Sequence, residues 1–180
     1  GVFLVGLGSG YYHLWPSNHT LLWDRLPMSI SFMALMSVII GEFISIRSGQ
    51  LALKVLLIFG VFSVFYWHVT ETKGTGDLRF YILVQFLPIL IIPIILMCFK
   101  SAYTSNAGYW LLLGSYGVAK GFEYLDSAIY NFEHLLSGHT FKHLAAALGV
   151  HLLLKPFRNR QATYLGHCSR RQKTARLNFS

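Results

Sequence analysis

FYILVQFLPILIIPIILMCF, residues 80–99, holds no charged residue in twenty positions. At roughly 1.5 Å of rise per residue, a helix of that length crosses the ~30 Å hydrocarbon core of a bilayer. In lipid, every backbone polar group must be paired internally, so a run of this kind reads as a helix. Pro88 and Pro93 are tolerated in a membrane helix and are expected to kink this one.

Outward from this run, the same apolar character returns at 26–46 and 51–69 upstream and at 108–130 and 137–154 downstream. A shorter segment, 1–14, opens the chain. The connections carry turn-forming residues, as in Trp15-Pro16-Ser17-Asn18, 70–77 and 101–106. Composition agrees. The 180 residues are 54% hydrophobic and 12% charged, with a mean hydropathy of +0.49. A soluble domain carries about 25% charged residues. The expected fold is therefore all-α: a polytopic membrane helical bundle over residues 1–155, followed by a basic, disordered tail at 156–180. The chain lacks an initiator Met and opens inside the apolar stretch 2–7, so a preceding N-terminal part is expected.

The net charge of +8 would point to nucleic acid in a soluble chain. Here seven of fifteen Lys and Arg lie in the last 26 residues, behind the final span. That is a topology signal and a contact for anionic lipid, with no nucleic-acid partner expected. Arg47, Lys54, Lys100 and the tail fall at one end of the bundle, with Arg25, Lys73 and Arg79 at the other. The positive-inside rule then sets the C-terminus of this multi-pass integral membrane protein in the cytoplasm. Cys98 and Cys168 lie far apart in the segment order and have no metal-type spacing.

Five polar residues fall at one depth in this scheme. Ser9 and His13 are four apart in the first segment, Asp24 precedes the second, and His139 and His143 open the last. Residues four apart share a helix face, so each pair can act together. Ionisable groups inside a bilayer are costly and usually functional. Three imidazoles with an open fourth position form the ligand set of a hydrolytic zinc site.

These residues also carry a resemblance. Gly8-Ser9-Gly10-Tyr11-Tyr12-His13, Trp23-Asp24-Arg25-Leu26-Pro27-Met28 and Ser137-Gly138-His139-Thr140-Phe141-Lys142-His143 resemble the alkaline ceramidase family. That family belongs to a superfamily of seven-helix membrane hydrolases whose relatives include the progestin and adipoQ receptors. The likeness runs from residue 1 to about 155, and Gly76-Asp77-Leu78-Arg79 with Gln85-Phe86-Leu87-Pro88 resembles its bacterial and plant-like branch. It implies six helices here of a seven-helix fold, and cleavage of the amide of ceramide-like lipids to a sphingoid base and a fatty acid. It implies Zn2+ held by His13, His139 and His143. Asp24 would be the carboxylate beside the attacking water, and Ser9 the hydroxyl beside the reacting carbonyl. Members from animals also bind Ca2+ through acidic residues of an N-terminal region, which would precede Gly1.

Two other readings compete. A receptor-like or scaffold membrane protein could bind zinc without turnover, although Ser9 and Asp24 are superfluous to a closed structural site. A transporter would use the charges of the fifth segment, but only residues 80–99 are interrupted by proline, whereas transporters pair such helices. Among the other polar groups, Lys120 and Glu123 read as an i, i+3 ion pair and Lys142 as a side chain directed to the interface. His68 and His134 compete for the metal. His151 lies two turns below His143, and His19 and His167 read as solvated.

Overall fold

The computed structural model describes residues 2–126 and 138–162; for Val2, Gly138 and His139 the description extends to the backbone alone. The protein is all-helical. Its elements are α1 (Val2–Leu14), α2 (Asn18–Phe43), α3 (Ile46–Thr72), α4 (Arg79–Cys98), α5 (Ala107–Tyr124) and α6 (Gly138–Phe157). No strand occurs among the described residues. Helices α2, α3 and α4 are long and apolar enough to cross a membrane. With 26 residues, α2 extends about 39 Å. Helix α1, at 13 residues, extends only about 20 Å. The chain gathers into two compact units, Gly1–Lys100 and Ser101–Ser180.

In the first unit, α2 begins eight residues earlier than the apolar run at 26–46 suggests. The cause is a capping box. Ser17 Oγ accepts from Thr20 N–H at 3.1 Å, and Ser17 N–H donates to Thr20 Oγ1 at 3.0 Å. Two end groups that the helix itself cannot pair are thereby satisfied. As a result Asp24 and Arg25 sit inside the helix, not ahead of it. Helices α2 and α3 meet through small residues. Gly49 faces Gly41 and the Ser37 carbonyl, and Gly60 faces Ser29 and Met33. Ser37 Oγ donates to the Gly49 carbonyl at 3.0 Å, which pairs a hydroxyl buried at the crossing. Lipid gives helices no hydrophobic reason to associate, so close backbone approach of this kind supplies the attraction. At the other end of the pair Leu22, Val64, Trp67 and Tyr81 form a buried cluster of α2, α3 and α4. Helix α4 runs without a break through Pro88 and Pro93.

The α3–α4 turn is polar and closed. Gly74 and Gly76 take positive φ, at 79° and 56°, which favours glycine. Arg79 grips Asp77 through Nε and Nη2, at 3.0 and 2.7 Å to Oδ1 and Oδ2, and Tyr66 Oη donates to Oδ2 at 3.0 Å. Those bonds, led by the Arg79 side chain, hold the Asp77 carboxyl well below the usual carboxylate range.

The second unit is a helix pair. Gly108 lies against the Leu153 backbone and Gly149 against Ser115. Phe122 and Phe141 stack at 5.3 Å. Helix α6 passes residue 155, where the sequence reading ends the bundle, and runs to Phe157. The chain then folds back. Thr104 N–H donates to the Gln161 carbonyl at 3.0 Å, and the Arg160 guanidinium lies over Phe157, Tyr103 and Tyr109 at 3.7, 4.7 and 5.7 Å. Residues 163–180, including His167 and Cys168, lie outside the described residues, as does His134.

Candidate functional site

The seam between α1 and α2 gathers three of the five singled-out residues. Pro27 lacks an N–H, so the Trp23 carbonyl four residues earlier loses its helical donor. Gly8 of α1 lies against that carbonyl. A methyl group there would meet the Trp23 carbonyl oxygen first, then its carbon at 2.9 Å and Asp24 Cα at 3.3 Å. Only glycine admits this approach. The neighbours of Gly8 and Trp23 are Ser9 and Asp24, so both adjoin this backbone contact in sequence. Ser9 is buried at 8% exposure, Asp24 is half-buried, and His13 is exposed in the last turn of α1. The Tyr12 ring lies 5.3 Å from that of His13. Along the same seam runs an apolar groove of about 330 Å³, lined by Leu4, Leu7 and Tyr11 of α1 and Trp23, Leu26 and Ile30 of α2.

His139 and His143 belong to the second unit, one turn apart in the opening turns of α6. His143 is exposed; the His139 side chain lies outside the description. The set of five thus divides three and two between the units. Among the described residues no group of three or more His, Cys, Asp or Glu is gathered for a metal, a set that omits the His139 side chain. The donor chemistry fits zinc: three imidazoles, a carboxylate, and two of the imidazoles on adjacent turns of one helix.

Other polar residues fall differently from their sequence reading. Lys120 and Glu123 pair at 2.6 Å, as their spacing implies. Lys142 Nζ lies 3.6 Å from Glu123 Oε1, a partner its sequence reading did not name, so one carboxylate serves two ammoniums. His19 is the second residue of α2, not a loop residue, and its ring stands 6.4 Å from that of His68. Asn18 Nδ2 donates to Glu71 Oε1 at 2.7 Å, tying the start of α2 to the end of α3.

Arg25 is the functional candidate that sequence reasoning passes over, by counting it as a loop charge. Its guanidinium lies over Trp67 at 4.0 Å and Tyr81 at 4.9 Å. The signal was a cation one residue from Asp24 and two before Pro27, where a helix start would bury it. No protein-family model, curated protein or solved structure matches the chain.

Proposed function

We propose that this membrane protein is a zinc-dependent amidase that hydrolyses ceramide-like lipids to a sphingoid base and a fatty acid. The observation that supports the reading is the glycine-tight α1–α2 seam beside an apolar groove, where Ser9, buried, follows Gly8 and Asp24, half-buried, follows Trp23. In the resemblance, Ser9 and Asp24 are the two residues that act on the amide.

His13, His139 and His143 would hold the ion. When bound, zinc supplies a Lewis acid and a water acidic enough to ionise near neutral pH. Asp24 takes the proton of the attacking water and returns it to the nitrogen as the carbon–nitrogen bond breaks. That return matters, because an amine leaves poorly without it. Ser9 donates a hydrogen bond to the carbonyl oxygen as negative charge gathers there. The groove beside Gly8 accepts an alkyl chain of the substrate and keeps water from the reacting carbon. The multi-pass arrangement with a cytoplasmic C-terminus belongs to the same proposal and rests on the distribution of Lys and Arg.

The test is metal content followed by release of labelled fatty acid from ceramide, in the chain and in His13→Ala, His139→Ala and Asp24→Asn. The first two variants lose zinc and turnover together. Asp24→Asn keeps zinc and loses turnover. Hydrolysis that persists in metal-free His139→Ala refutes the reading, and zinc without hydrolysis in the unsubstituted chain leaves a receptor-like protein.

A further inference from the structure

Where α2 meets α3 and α4, three buried side-chain atoms among the described residues have no hydrogen bond: Nη1 of Arg25, Oγ of Ser29 and Nδ1 of His68. Ser29 lies deeper in α2, against Gly60, whereas Arg25 and His68 both lie at the end where Trp67 packs. Both residues lie against Trp67: the guanidinium is 4.0 Å from its ring centroid, and the His68 ring centroid is 6.0 Å from it. Asp24 and Glu71 act on Arg25 through space. Glu71 is already engaged by Asn18 at 2.7 Å, and the Asp24 backbone adjoins α1.

Position narrows what could complete this arrangement. Arg25 is the eighth residue of α2, about 10 Å below the helix start. Centred on a ~30 Å hydrocarbon core and upright in it, a 26-residue helix would overhang by about 4–5 Å at each end, which would put Arg25 about one turn inside the headgroup boundary. A cation there is rare and marks a function more often than not. His19, exposed on the first turn of α2, stands beside His68 and leads from the surface toward it. The guanidinium fork suits a phosphate better than a single water does, because it can present parallel N–H groups to two oxygens. His68 adds a donor in the tautomer that carries its proton on Nδ1.

We propose that Arg25 and His68, with His19 at the mouth, form a phosphate-binding site at the headgroup end of α2, α3 and α4. The phosphate is that of an acidic lipid headgroup or free phosphate; both present the same oxygens. Arg25 turns toward α3 and α4, and the proposal does not rest on the amidase reading.

The test titrates the full chain, in an uncharged detergent, with dioctanoyl phosphatidic acid and separately with inorganic phosphate. Phosphorus NMR reads binding and thermal unfolding reads stabilisation. The unsubstituted chain binds saturably and unfolds at a higher temperature when loaded. Arg25→Gln weakens binding by about tenfold or more, and His68→Phe by about threefold or more, as expected for loss of hydrogen bonds to a charged group. Arg25→Lys keeps the charge without the fork and falls between. Saturation by phosphatidic acid alone assigns a lipid headgroup; equal saturation by inorganic phosphate assigns a free anion. If Arg25→Gln does not fold, His68→Phe and Arg25→Lys carry the comparison. No saturable binding of either probe, or binding unchanged in His68→Phe and Arg25→Lys, overturns the proposal.

Discussion

Replacing Gly8 by alanine tests the α1–α2 seam against a control built into the same helix. Gly6 and Gly10 have nothing within 4 Å of the position a Cβ would take. At both, alanine gains helix propensity of about 1 kcal/mol and touches nothing. At Gly8 the same gain is set against a methyl group placed 2.9 Å from the Trp23 carbonyl carbon and closer still to its oxygen. Ordinary contact between carbons begins at about 3.5 Å, so α1 must withdraw by about 0.6 Å or more. The obstacle is backbone, with no flexible side chain to give way. Overpacking of this kind costs about 1–3 kcal/mol. Gly8→Ala is therefore expected about 1–3 kcal/mol below Gly6→Ala and Gly10→Ala. Denaturant unfolding in micelles, followed by circular dichroism, measures the three side by side. On the amidase reading, displacement of Ser9 from Asp24 also lowers hydrolysis by about a hundredfold in Gly8→Ala alone. If Gly8→Ala matches the two controls in stability and turnover, the seam is not where Ser9 and Asp24 are brought together.

The capping box makes Ser17→Ala cost about 1 kcal/mol in the same unfolding assay, whereas Ser17→Thr, which keeps a hydroxyl at the cap, retains most of the stability. Gly49→Ala is expected to destabilise by about 1–3 kcal/mol, because its Cβ falls between the Gly41 backbone and the Ser37 carbonyl. Gly41→Ala, whose Cβ lies an ordinary 3.6 Å from Gly49 Cα, is tolerated; equal effects would refute the α2–α3 crossing. Asp77 ionises more readily folded than unfolded, so its contribution is full above the ordinary carboxylate range. That contribution is lost as pH falls through that range toward the lower folded value. Unfolding temperature against pH should thus fall less steeply in Asp77→Asn than in the unsubstituted chain over the acidic limb, and parallel curves would refute the Arg79 grip.

How much of this could be read from the chain depends on the kind of interaction. The hydrophobic run at 80–99 located α4 to within a residue at each end, because burial in lipid is a sum over many side chains, whereas the run at 51–69 located α3 but missed its first five residues and its last three. The start of α2 escaped the same reading, because Asn18, His19, Thr20, Asp24 and Arg25 lower the apolar signal while Ser17 and Thr20 supply the cap. Spacing gave the pair Lys120 with Glu123, since both lie within one helix. It could not give Lys142 beside Glu123, a contact made only when α5 meets α6.

Asp24 and Arg25 show why adjacency in sequence misleads most inside a helix. Consecutive residues point about 100° apart, so they serve different neighbours. Gly8 packs against Asp24 on one flank, while Arg25 crosses to Trp67 and Tyr81 on the other. Pro27 links the two roles. By leaving the Trp23 carbonyl without its helical donor it offers α1 a backbone group to approach, and the helix it interrupts continues to carry Arg25 toward α3. A substitution at Pro27 that restores the missing N–H would therefore act on the α1 seam first. Pro27→Ala is expected to loosen Gly8 from Trp23 and to leave the Arg25–Trp67 contact in place. Loss of phosphate binding in Pro27→Ala, with the α1 seam intact, would show that the two flanks are not separate.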